Sequence, residues 1–408
     1  MAPTDASCMD AACLEQDRPA APSKVALVLL ALAMGGFAIG VTEFAAMSVL
    51  PEFAAGLGVD EPTAGHVISA YAAGVVVGAP ILAVLGARLP RWTLLIGFMA
   101  LFAVGNALSA LAPTYEWMLV FRFLSGVPHG AYFGVAALVA ASLVPLRLRT
   151  RAVSTILLGL TVATVVGVPI ATAVSHAFGW RWTFAIVSGL AILTMALVAL
   201  FAPRDPAHAD ASPLRELGAL KRGQVWLTLG VGAVGFGGMF AVYAYLASTL
   251  TAVTGVGPEV MPWVFAVFGV GMTAGNLIGA WAADRYGMKA AGGLLLWSAG
   301  ALALYPFAAP HLWAMMVVVL LIGCGGGLGS ILQTRLMDVA GDAQTLAAAL
   351  NHSAFNTANA IGPLLGGMAV AAGWGWTSTG WVGVALTLGG FAIWVVAYVT
   401  GRRLQTAP

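Results

Sequence analysis

Twelve long apolar stretches follow one another along this chain, each near the ~20 residues that a helix needs to cross a bilayer. They run over 25–50, 63–86, 92–112, 117–141, 152–174, 183–202, 225–250, 262–283, 290–308, 313–332, 345–372 and 380–400. Lipid offers no partner to an unsatisfied backbone group, so a segment of this kind must hydrogen-bond within itself, as a helix does. Composition agrees: 8% of the 408 residues are charged and 60% are hydrophobic, against about 25% charged in a soluble domain. That is too little polar material to cover a water-soluble surface, and a net charge of +2 leaves no electrostatic footprint for nucleic acid. A soluble enzyme, a nucleic-acid binder and a disordered scaffold are excluded. Cys8, Cys13 and Cys324 form neither a disulfide framework nor a metal-ligand spacing, so no metal or cofactor is expected. The expected fold is an all-α polytopic membrane protein.

The charges orient it. Sixteen of the 18 Lys and Arg residues fall in the N-terminal tail, in the loops after even-numbered spans or at the C-terminus. The opposite loops hold Arg181 and five acids, Glu52, Asp60, Glu61, Glu116 and Glu259. Basic loops stay on the cytoplasmic side, which places both termini in the cytoplasm. The apolar run over 25–50 is too long for a cleavable signal and is expected to remain as the first span, behind a disordered tail over 1–23. The polar segment 203–224 divides a six-helix bundle over 24–202 from a second over 225–401, with a short tail over 402–408.

The halves echo each other. Gly167-Val-Pro169 and Gly179-Trp180-Arg181-Trp182 correspond to Gly362-Pro363 and Gly373-Trp374-Gly375-Trp376 at an offset of 194. Gly78 and Arg88 correspond to Gly275 and Arg285 at an offset of 197. Two parallel repeats of six helices would produce this pattern.

At these residues the chain resembles the major facilitator superfamily, and within it the twelve-span drug:proton antiporter branch. Asp284-Arg285-Tyr286-Gly287-Met288-Lys289 is similar to that family's loop motif between spans 8 and 9. The copy in the first half, with Arg88 and Arg91, keeps the bases and lacks the acid. The resemblance implies a conformational gate at Arg88, Arg91, Asp284, Arg285, Gly287 and Lys289. Gly159, Gly167 and Pro169 resemble the antiporter motif of span 5, with one extra residue between Gly167 and Pro169. The stretches Gly40-Val-Thr-Glu43-Phe44, Ala64-Gly65-His66-Val-Ile-Ser-Ala-Tyr71 and Arg122-Phe-Leu-Ser-Gly126-Val-Pro-His129-Gly130-Ala-Tyr-Phe133 look like those of the arabinose efflux permease (AraJ-like) subgroup, whose relatives include chloramphenicol-resistance and nucleoside exporters.

Two ionisable residues lie deep in spans, Glu43 in the first and Arg122 in the fourth. A charge in lipid costs about 2.5–3.5 kcal/mol on insertion scales, so such residues are functional candidates by default. Counted at 1.5 Å per residue, their depths agree within roughly one helical turn. They read either as a proton-coupling pair or as a static ion pair that fixes two helices. Phe240 stands where a second Glu43 would be. His129 shares a face of span 4 with Arg122, and His352, Asn356 and Asn359 form a polar stripe on span 11, which reads as a cargo-contacting face or as interhelical glue. Ser125 and His129 could be drawn as a nucleophile and base, but no orienting acid shares their segment.

The expected function is secondary active transport, in which two bundles rock about a midplane site. The resemblance implies export of a drug-like compound, sugar or nucleoside by proton antiport. Phe37, His129, Tyr132, Phe240, Tyr243, His352 and Asn356 are the candidate cavity residues. The partners are a small molecule, protons and the bilayer, and the protein is expected to be a monomer. An intramembrane enzyme and a non-transporting membrane sensor are the alternatives. A reporter fused after Thr400 or within 204–222 should read out as cytoplasmic and one inserted near Gly255 as periplasmic. A cytoplasmic reporter near Gly255 would break the twelve-span topology.

Overall fold

A computed structural model describes residues 22–86, 88–145, 148–204, 220–340 and 344–406. Most of the expected tail over 1–23, and the middle of the 203–224 loop, lie outside the described residues, as do Cys8, Cys13 and Arg147.

The described chain is helical throughout its apolar stretches. The first bundle contains α1 (Pro22–Ser48), α2 (His66–Gly86), α3 (Arg91–Ala110), α4 (Tyr115–Ser142), α5 (Ala152–Phe178) and α6 (Arg181–Phe201). The second contains α7 (Gly223–Ala244), α8 (Met261–Tyr286), α9 (Met288–Ala308), α10 (Leu312–Ala340), α11 (Gln344–Ala369) and α12 (Ser378–Thr406). Eleven spans among the described residues are long and apolar enough to cross a membrane by length and composition. The helix α11 has the length, and its Asn351, His352, Asn356 and Asn359 make it the most polar of the set. Large side chains such as Leu85, Phe178, Leu277 and Trp313 point outward at 70% exposure or more, as side chains facing lipid do.

Helix ends follow local chemistry. Asp60 caps the short helix Glu61–Ala64 by accepting from the Thr63 amide at 2.8 Å. The Thr63 hydroxyl, and with it the Thr63 amide, holds the Asp60 carboxyl below the usual carboxylate range. Gly287 ends α8 at φ +52°, a backbone region that favours glycine. The span expected over 313–332 continues to Ala340, because Gln333, Arg335 and Asp338 extend it as a polar-tipped helix. The glycine run beginning at Gly323 is absorbed by one 3₁₀ turn at Cys324–Gly327.

The sequence repeat is also a packing repeat. In the first bundle a methyl group on Gly74 would overlap the carbonyl oxygen of Phe123, one on Gly78 that of Val127, and one on Gly126 that of Tyr71. Adding 197 to each number gives the second bundle's contacts: Gly271 on Leu320, Gly275 on Cys324 and Gly323 on Phe268. Thus α2 meets α4 as α8 meets α10, backbone against backbone. Both partners are distorted at the matching position, α4 at Val127–Pro128 and α10 at Cys324.

Gly126→Val should therefore destabilise the protein by about 1–3 kcal/mol or more, the ordinary scale of overpacking. Gly97→Ala, where a methyl meets nothing within 4 Å, should be neutral or slightly stabilising. Thermal unfolding in detergent, followed by size-exclusion chromatography, checks both.

Candidate functional site

Arg122 is enclosed within the first bundle. It is 1% exposed. Its Nη1 donates to Thr42 Oγ1 at 3.0 Å and its Nη2 to the Thr42 carbonyl oxygen at 3.4 Å. The guanidinium lies 4.3 Å from the centre of the Tyr71 ring and 5.2 Å from that of Phe184, where ring faces attract a cation. Thr42 in turn donates to Asn106 Oδ1 at 2.7 Å, and Asn106 Nδ2 donates to the Phe102 carbonyl at 2.9 Å. On the other side of Tyr71, its hydroxyl is 2.9 Å from His129 Nδ1. Four helices, α1 to α4, are tied by this chain of polar groups. Thr42 and Asn106 were not singled out from the sequence, and Tyr71 stood out only as the end of the stretch beginning at Ala64. A polar residue alone in an apolar span is the signal that could have found Asn106.

Glu43, one residue on, turns the other way. Its Oε1 accepts from Asn359 Nδ2 of α11 at 3.2 Å, and it makes no ion pair with Arg122. Elsewhere in the first bundle His176 Nε2 lies 2.6 Å from Glu52 Oε1. Glu43 and Arg122 are therefore neighbours with separate partners, one facing the second bundle and one facing inward.

Around Glu43 the bundles meet. Phe44 lies 6.2 Å from Phe240, nearly parallel, and 5.5 Å from Tyr243, edge-on. His129 of α4 approaches His352 of α11 at 6.1 Å between rings, and Phe133 stacks on His352 at 4.8 Å and 6°. Phe240, Tyr243, His129, His352 and Asn356 are thus brought to the interface region. Tyr132 is fully buried within the first bundle, its hydroxyl donating to the Leu32 carbonyl at 2.9 Å. Phe37 is half-buried against Gly159 and Gly167. Ser125 donates to the Arg122 carbonyl at 2.9 Å and not to His129, so no nucleophile–base pair forms there.

The extra residue between Gly167 and Pro169 has a structural counterpart. The segment Ala163–Gly167 is a π turn, which takes one more residue than an α turn and commonly sits at functional positions. Its Thr164 carbonyl is pressed against Gly269 of α8, across the bundle interface.

The joining contacts favour one end. Ser69 donates to the Ala360 carbonyl at 2.9 Å, Ser248 donates to Glu61, and Tyr245 packs between Gly65 and Gly367 while donating to the Pro363 carbonyl at 2.9 Å. All lie toward the end with the acidic loops. At the basic end Arg88, Asp284, Arg285 and Lys289 are exposed, and none forms a bond across the bundles among the described residues.

Comparison with known proteins agrees with this architecture. The profile described as Major Facilitator Superfamily matches the chain twice, over residues 32–254 and 227–408. The Escherichia coli K12 inner membrane transport protein YdhP is 37% identical over 355 residues, covering 87% of this chain and 91% of its own. A chloramphenicol resistance protein of Streptomyces lividans is 34% identical over 347 residues, 83% of this chain and 88% of its own. Among solved structures, a bacterial homologue of the human lysosomal transporter Spinster, inward-facing and unoccupied, superposes with a TM-score of 0.70 at 18% identity. The superposition covers 92% of this chain and 97% of that one.

Thr42→Val removes an acceptor from Arg122 and a donor from Asn106 with little change of shape. The orphaned buried groups should cost about 1–3 kcal/mol, seen as a lower unfolding midpoint, while Thr42→Ser should stay close to the parent.

Proposed function

The chain belongs to the major facilitator superfamily, and from that premise we propose that it exports a small molecule across the bacterial inner membrane in exchange for protons. One observation carries the reading: Glu43, a buried acid of the first bundle, takes its hydrogen bond from Asn359 of the second. A carboxylate there accepts from Asn359. A protonated carboxyl keeps one accepting oxygen and gains an O–H donor, so taking up a proton changes what holds the bundles together. That dependence of a conformational equilibrium on protonation is what coupling requires. Arg122 supplies a fixed positive charge nearby and, held by Thr42, does not follow Glu43 across the interface.

The end carrying the acidic loops is the periplasmic one in this reading, both termini are cytoplasmic, and the arrangement is closed outside and open inside. Arg88, Arg91, Asp284, Arg285, Gly287 and Lys289 form the inner gate, which closes when the outer contacts at Glu61, Ser248 and Tyr245 separate. Gly159, Gly167 and Pro169 shape the α5 turn about which the bundles rock. The cargo, a drug-like compound, a sugar or a nucleoside, binds among His129, Phe240, Tyr243, His352 and Asn356, and Phe37 and Tyr132 support that face from within the first bundle. The protein works as a monomer. The resistance relative's name favours a drug-like cargo for that relative and motivates testing one here.

Glu43→Gln imitates the permanently protonated acid. In proteoliposomes with an imposed pH gradient it should lose uphill efflux to below about a tenth of the parent rate, a loss of roughly 1.4 kcal/mol or more in transition-state terms. Exchange of cargo down its own gradient should persist. Uphill transport at the parent rate would reduce Glu43 to a packing residue.

A further inference from the structure

The buried face of α11 is short of hydrogen-bond donors, and the shortage has a direction. Asn356 is fully buried, and its Nδ2 donates to the His352 carbonyl at 3.0 Å. Asn359 is 1% exposed and commits its Nδ2 to Glu43. Each carboxamide thus uses one of its two N–H donors within the protein. Their Oδ1 atoms have no partner, and neither has the hydroxyl of Ser353, 7% exposed. These residues are at i, i+3 and i+6 of one helix, so they share a face, with consecutive members about 4.5 Å apart along the axis. An unsatisfied buried acceptor costs more than a satisfied one contributes, and three polar atoms left open on one face mark a place that a ligand completes.

Charge narrows the ligand further. A carboxylate or phosphate needs a free cationic fork, and Arg122 points its Nη atoms at Thr42 and its plane at two rings. Ring surfaces flank the stripe. Phe355 lies 4.9 Å from both Phe236 and Phe240, and Phe133 covers His352 from the opposite bundle.

We infer that Ser353, Asn356 and Asn359 are the acceptor side of the cargo site, and that the cargo is a ring-bearing molecule without negative charge, presenting at least two hydrogen-bond donors spaced by about one helical turn. The inference rests on the transport reading above and gives its cargo a chemical class. Asn359 has a double duty in it. Its carboxamide serves Glu43 with one end and cargo with the other, so the acid and the cargo are read by one side chain.

The test uses the full-length protein in nanodiscs and a matched panel: an aryl glycoside, a nucleoside and an aromatic diol amide. Each is paired with its fully methylated form, which lacks the donors, and with a carboxylated form. Ligand binding to the folded state is read as a rise in unfolding temperature, and flux is read in proteoliposomes. At least one donor-bearing member should bind about tenfold or more tightly than its methylated partner, the scale of one hydrogen bond lost at a buried acceptor. In Asn356→Ala that ratio should fall by about tenfold while affinity for the methylated form changes less than about threefold. Ser353→Ala, which removes a single hydroxyl, gives the same readout should Asn356→Ala fail to fold. A ratio unchanged in both variants, preferred binding of the methylated or carboxylated forms, or no binding by any donor-bearing member would overturn the inference. Discrimination without flux would leave it standing and remove the transport reading; flux without discrimination would do the reverse.

Discussion

Helices in a bilayer gain no hydrophobic energy by meeting one another, because lipid tails are as apolar as leucine. What remains is close packing, and here it depends on glycines set against the carbonyls of the facing helix. Gly74, Gly78 and Gly126 do this between α2 and α4, and Gly271, Gly275 and Gly323 do it between α8 and α10. Direct backbone contact leaves few side-chain rotamers to rearrange, so each bundle can move as a rigid body. The repeat thus supplies two similar stiff units, and what differs between them falls to the residues at their interface.

The main difference is the polar chain of the first bundle. A buried guanidinium is stable only with its donors used and its planar faces covered. Thr42, Tyr71 and Phe184 meet most of that need without a carboxylate, and the orphan Nε of Arg122 is the exception. Glu43 is consequently free to bond across the interface. Had the two paired, as their similar depth suggested, the acid would have been neutralised inside one bundle and would carry no message to the other. The second bundle answers with Phe240 at the repeat-related position, an apolar ring stacked near Phe44.

The sequence made the spans and the repeat legible, because bilayer thickness and glycine spacing act through local pattern. It made Glu43, Arg122 and the His352–Asn359 stripe visible as costly residues in lipid. It could not say which of them touch. The bond between Glu43 and Asn359 joins positions 316 residues apart, and Thr42, the residue that captures Arg122, has nothing in its local sequence to distinguish it from any threonine in a helix. The π turn was half legible: the surplus residue before Pro169 was apparent, but nothing local placed Thr164 against Gly269 of α8.

A transporter's interface must hold without locking. A broad apolar seam would lock, since separating it would expose surface at a cost proportional to area. The cross-bundle bonds here are few, Ser69 to Ala360, Asn359 to Glu43 and Ser248 to Glu61, each worth about 1 kcal/mol net. The α5–α8 contact adds a glycine against a carbonyl, which separates without stranding a donor. Two states that differ by only a few kcal/mol can be tilted by any ligand that distinguishes them by that much. In the proposed cycle a proton on Glu43 and a donor-bearing cargo on Asn359 would both be on that scale, and because they would meet at one carboxamide, neither could act on the equilibrium without changing the terms on which the other binds.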